Sequence, residues 1–214
     1  MSVDSILILV ALTNLMLLAY SRLGASIRVT AAQGILLGLL PLVAAPHAGW
    51  HAVLIAVGSS FLKGVVFPKL MFRALREAEV QREVEPFVGY IASVLIGVAT
   101  LAVAIWIGQQ LPLPSATIST LVVPVALFSI LVGLFLIISR KKAVNQVLGF
   151  LVLENGIYTF GVGLMQQTSL LVELGVLLDV FVAVFVMGII IFHISREFDH
   201  IDTDALTSLK DWKP

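Results

Sequence analysis

Three charged residues stand inside long apolar stretches: Lys63 in VGSSFLKGVVFP, Glu154 in LVLENGIYTF and Asp179 in LLVELGVLLDVFVAVF. In hydrocarbon such charges are costly, face a bundle interior or a hydrated cavity, and mark ion paths or proton relays. Burial disfavours the charged form of each group, whereas a nearby opposite charge favours it. Groups balanced between those effects can exchange protons near neutral pH, which a relay requires. The same three residues would also serve as a static ion pair that joins helices, and the residues alone leave both readings open.

Depth counting separates the deep charges from the shallow ones. At about 1.5 Å per residue, Lys63 lies roughly 20 Å from Trp50 and nearer the basic cluster that follows it. A snorkelling lysine could span part of that distance. Glu154 is twelve residues from both Lys142 and Gln166, and Asp179 is ten from Ser169 and seventeen from Arg196. Both carboxylates therefore fall near a bilayer midplane. Glu173 lies about one helical turn into its segment, where water at the interface can reach it. Gln146 and Tyr158 flank Glu154 and could hold water beside it. His193 near the end of the last apolar segment reads as structural, with proton exit as the alternative.

These residues must be carried by membrane-spanning helices. Hydrophobic residues make up 59% of the chain and charged residues 12%, about half the soluble average of roughly 25%. Mean hydropathy is +1.07. The predicted fold is all-α and polytopic, with about seven spans over 3–21, 27–46, 50–71, 86–108, 116–139, 143–166 and 169–195. Each has about the 20 apolar residues a span requires. The N-terminal run lacks a basic region before it, so the first helix is expected to be retained. KLMFRALREAEVQREVEP, residues 69–86, is expected to extend span three as a helix at the interface, or to form a solvated hinge. Pro124 is expected to kink span five, and Gly58-Ser59-Ser60 with Pro68 to bend span three. Gly149, Gly156, Gly161 and Gly163 suit close helix packing.

Charge placement gives the direction. Twelve of the thirteen Lys and Arg residues fall in the loops after spans one, three and five and in the tail. The positive-inside rule makes that side cytoplasmic and the N-terminus external. The chain contains no cysteine, which excludes thiolate-held iron–sulfur clusters and disulfides. The four histidines sit near span ends, a poor arrangement for haem. No cofactor and no metal are expected, any redox chemistry belongs to a partner, and a net charge of zero gives no sign of nucleic-acid binding.

The stretches RKKAVNQVLGFLVLENGIY, LLVELGVLLDVFVAVFVMGIII and DTDALTSLK, together with FLKGVVFPKLM, resemble hydrogenase-4 component E, a membrane subunit of formate-hydrogenlyase-type group 4 nickel–iron hydrogenases. Over its last three spans that family is similar to subunit K of bacterial respiratory complex I and to its counterpart in multisubunit cation/proton antiporters. The resemblance implies a four-span region over 1–115, a subunit K-like region over 116–195 and a cytoplasmic tail over 196–214. By position Glu154 and Asp179 resemble the two midplane glutamates of subunit K, Asp179 being a methylene shorter. The implied role is a non-catalytic subunit of the bacterial or archaeal cytoplasmic membrane. It would line a proton path with Glu154, Asp179 and Lys63, beside large antiporter-like subunits and below a hydrophilic hydrogenase-type module. The alternatives are a structural adaptor of the membrane arm, a subunit of another redox-driven or antiporter-like complex, and a free-standing transporter. The tail would dock a partner or remain solvated.

Overall fold

The computed structural model describes residues 2–44, 50–77, 87–111, 118–140, 142–164 and 188. Among these residues the structure is helical, with no strand. Helix α1 covers Val3–Ala19, α2 Leu23–Ala44, α3 Trp50–Phe61, α4 Phe67–Glu77, α5 Tyr90–Gln110, α6 Val122–Ser139 and α7 Ala143–Leu164. Three of them, α2, α5 and α6, are long and apolar enough to cross a membrane. Expected spans five and seven are affected differently: α6 begins six residues later than expected, and 165–187 and 189–214 lie outside the described residues.

Helices α3 and α4 form one rod, joined by a π-helical turn at Leu62–Val66. The sequence explains its place. Pro68 has no N–H, and its ring excludes the carbonyl four residues back, at Gly64. The Phe67 N–H bonds instead to Leu62 O, five residues back. The expected irregularity of span three is therefore a widened turn, and it carries Lys63. Past it, α4 continues the rod to Glu77. Its Met71 and Ala74 pack inward while Lys69, Arg73 and Arg76 are exposed. The remainder of the 69–86 segment, from 78 onward, lies outside the described residues.

Pro124 does not kink α6. It is the third residue of the helix, in the first turn, where N–H groups have no intrahelical acceptor to lose. The expectation failed because it started the helix at residue 116.

Small residues set the helix separations. On α7, Gly149, Gly156 and Gly163 recur every seven residues and so share one face. A Cβ on Gly156 would lie 2.7 Å from Ile130 N and 2.8 Å from Ala126 O; on Gly149, 2.8 Å from Gly133 O. Backbone meets backbone along the α6–α7 contact, the packing mode of helices in lipid. Helix α5 shows the same logic from the other side. Its buried residues are Ser93, Gly97, Ala104 and Gly108, while Ile91, Leu95, Val98 and Trp106 face outward. Large apolar groups outside and small ones inside is the reverse of a soluble helix.

Arg140 Nη2 donates to Leu18 O at 3.2 Å, and Phe87 N donates to Ser139 O at 2.8 Å. The end of α1, the turn after α6 and the start of α5 therefore meet at one end of the bundle. At the other end, Ser119 Oγ donates to Asp4 Oδ1 at 2.5 Å. Apolar clusters fill both ends: Leu23, Phe67 and Leu148 in one, Ile6, Leu37 and Val162 in the other. A polar layer lies between them.

Candidate functional site

The polar layer is built from five helical segments, α7 giving four side chains and each of the others one. Lys63, on the π-helical turn, is 6% exposed; Glu154, on α7, is 2% exposed. Lys63 Nζ donates to Glu154 Oε1 at 2.6 Å and to Asn155 Oδ1 at 3.1 Å. It also stands 5.3 Å from the centre of the Tyr158 ring, within the range of a cation–π contact. Two sequence-predicted residues are thus joined across ninety-one positions. Tyr158 holds the lysine from the ring side rather than the carboxylate.

Glycine makes this approach possible. Gly34 on α2 faces the π turn, and a Cβ there would lie 2.6 Å from Lys63 Cβ. A Cβ on Gly64 would in turn lie 2.5 Å and 2.7 Å from Ile35 side-chain carbons. The lysine stem lies against α2 because both helices present bare backbone at the crossing.

From Asn155 the hydrogen bonds continue through the bundle. Asn155 Nδ2 donates to Gln33 Oε1 at 3.2 Å. Gln33 Nε2 donates to Asn14 Oδ1 at 2.7 Å. Asn14 Nδ2 donates to Ser129 Oγ at 2.7 Å, and Ser129 donates to Val125 O at 2.8 Å. Every donor in the chain points away from Lys63 and every acceptor toward it. Bonds aligned in one direction polarise one another, and here the aligned oxygens face the ammonium. The series stops on a backbone carbonyl. Thr159 Oγ1, which donates to Asn155 O at 2.7 Å, completes the local set.

Among the described residues Glu154 is held from one side only. Its Oε1 takes the lysine, while Oε2 is buried and has no hydrogen-bond partner among the described residues. Buried polar atoms are satisfied in the great majority of structures, so this oxygen marks where the layer is incomplete. Gln146 is exposed near the start of α7, and the bonds to Glu154 do not involve it. Asp179, Glu173 and His193 lie outside the described residues.

Asn14, Gln33 and Ser129 were missed by the sequence reading, as was the role of Asn155. Their signal was the one that exposed Glu154: polar residues mid-helix, with Asn14 in LILVALTNLMLLAY and Gln33 in VTAAQGILLGLL. Single uncharged polar residues are common in membrane helices and attract less notice.

No family model matches the chain, and no solved structure matches it. Among curated proteins, it is 37% identical over 192 residues to the uncharacterized protein Rv0085 of Mycobacterium tuberculosis, covering 88% of this chain and 87% of that protein. It is 29% identical over 159 residues to hydrogenase-4 component E of Escherichia coli, covering 74% of each. The component E of Shigella flexneri matches to the same extent.

Proposed function

The chain belongs to the hydrogenase-4 component E family, and we propose that it is a non-catalytic membrane subunit of a hydrogenase complex in which Lys63 and Glu154 form one station of a proton path. The observation that carries this reading is the buried pair itself, with one carboxylate oxygen tied to the lysine and the other unpartnered among the described residues. Side-chain amides are not acids or bases near neutral pH. The Asn155–Gln33–Asn14 series therefore holds the pair without moving protons, and exchange runs through Glu154 Oε2 and the ammonium. Asp179, on the last predicted span, is the proposed next station. Glu173 and His193 are placed toward opposite ends of that span as supporting groups.

The proposal includes about seven spans, with the N-terminus outside and the C-terminal tail in the cytoplasm of a bacterium or archaeon. The meeting of Arg140 with the end of α1, just before Arg22, supports this, since the positive-inside rule assigns basic ends to the cytoplasm. The segment over 116–195 plays the subunit K-like part. Large antiporter-like subunits would continue the path sideways, and a hydrophilic hydrogenase-type module on the cytoplasmic side would supply the redox chemistry.

A second reading has its own support: the amide series ends blindly on the Val125 carbonyl, as suits a brace of the membrane arm. The experiment is proton uptake by vesicles carrying the reconstituted complex, with Glu154→Gln alone and with Lys63→Met added. A relay predicts assembled complexes that turn over without coupled proton movement in both variants. Retained coupling in the double variant would leave only the brace.

A further inference from the structure

A second buried cation sits at the turn between α6 and α7. Arg140 directly follows α6 and is 2% exposed. Its Nη2 donates to Leu18 O at 3.2 Å, and its guanidinium carbon stands 5.3 Å from the centre of the Tyr90 ring. Its Nη1 is buried with no hydrogen-bond partner among the described residues, and Arg140 forms no ion pair among them. Burial pushes the guanidinium's pKa down from its ordinary value, with Tyr90 acting the other way. A buried charge without an opposite charge is among the costliest features a fold can carry.

Asn145, in the first turn of α7, is 5% exposed, and its Nδ2 also lacks a partner among the described residues. Arg140 and Asn145 line the same cavity, with Tyr20, Ser26 and Leu148 among its other walls. Its volume is about 10 Å³, room for about one water-sized body. Two buried donors, one of them charged, thus border one small space. Ser26, whose hydroxyl shares the wall with that of Tyr20, already donates to Arg22 O. The first turn of α7 adds the positive end of a helix dipole, which favours negative charge. A water molecule could accept one of these bonds but would leave the guanidinium charge uncompensated among the described residues.

We propose that this cavity binds one small monovalent anion of the halide class between Arg140 and Asn145. Chloride is the abundant example, and phosphate or a lipid headgroup is too large for the space. The site lies apart from the Lys63–Glu154 layer and fixes the turn that joins α6 to α7.

The test uses the full chain in nanodiscs of zwitterionic lipid, melted at constant ionic strength in sodium chloride, bromide or gluconate. A halide at tenfold its Kd multiplies the folded-to-unfolded ratio about elevenfold, a rise of roughly 3–6 °C for a chain of this size. Asn145→Asp places a carboxylate where the anion would sit. This variant should melt in gluconate as wild type does in chloride, with no halide response. Wild-type protein in equilibrium dialysis should retain radioactive chloride at one ion per chain, a readout independent of how the variant folds. Equal wild-type melting in halide and gluconate with no chloride retained, or a halide shift that persists in Asn145→Asp, overturns the proposal and leaves the cavity to water.

Discussion

Neutralising Lys63 and Glu154 one at a time and then together separates the worth of their interaction from the cost of either group left alone. Lys63→Met removes the partner of Glu154 Oε1, and Oε2 already has none among the described residues. A carboxylate that is 2% exposed is then left without a hydrogen-bond partner among the described residues. Breaking a buried pair in this way costs about 3–5 kcal/mol. At about 2–4 °C per kcal/mol for a chain of this length, the melting midpoint should fall roughly 6–20 °C. Glu154→Met should be milder, because the ammonium keeps Asn155 Oδ1 and the Tyr158 ring. The double variant buries two apolar side chains and should recover more than half of the larger loss. Intrinsic tryptophan fluorescence of detergent-solubilised protein during heating reads all four states. Additive single losses would refute the pairing, and so would a Lys63→Met loss below about 1 kcal/mol, the level of an exposed pair.

Gln33→Leu cuts the amide series at its middle and orphans both Asn155 Nδ2 and Asn14 Oδ1. At about 1–3 kcal/mol per buried unsatisfied group, it should lower the melting midpoint more than Asn14→Ala, which removes one amide at the far end. Gly156→Val pushes carbon into the backbone of α6, where a Cβ would already lie 2.7 Å from Ile130 N. Overpacking of this kind costs typically 1–3 kcal/mol, and the displaced α7 should also lengthen the Lys63–Glu154 contact. Infrared bands of the carboxylate in the variant, compared with wild type, test that displacement.

How far the sequence could be read depended on the kind of signal. Lys63 and Glu154 declare themselves, because a charge within twenty apolar residues has no ordinary explanation. Their pairing does not, since residues ninety-one positions apart are brought together by helix packing that periodicity cannot supply. Gly149, Gly156 and Gly163 of α7 were legible as packing positions, yet Gly34, which admits the lysine stem, carries no local mark that distinguishes it. Helix boundaries failed where the span was carried through mixed sequence, as in ATISTL before Val122, and the expected Pro124 kink failed with them. Counting loop cations treated Arg140 as a solvated charge. The turn after α6 instead folds it inward onto Leu18 O, and no composition rule sees that.

The polarity of the amide series has a consequence for how the site divides its work. A pair that exchanges protons must stay in place while its charge changes, or the path opens to water and leaks. In this bundle the holding groups cannot themselves be protonated near neutral pH, and they end on a carbonyl that is already fixed within α6. They approach the lysine and Asn155, leaving the outer carboxylate oxygen untouched. Position is therefore fixed from one side of Glu154, and on the proposed reading proton exchange is confined to the other. Gln33→Glu tests that division. It substitutes an ionisable group of nearly equal size into the holding side, so the fold should survive while the separation between holding and exchanging is lost. In reconstituted vesicles the expected result is an assembled complex whose proton movement per turnover is reduced. If coupling is unchanged although infrared spectra show the new carboxyl buried, the amides hold the helices together and nothing more.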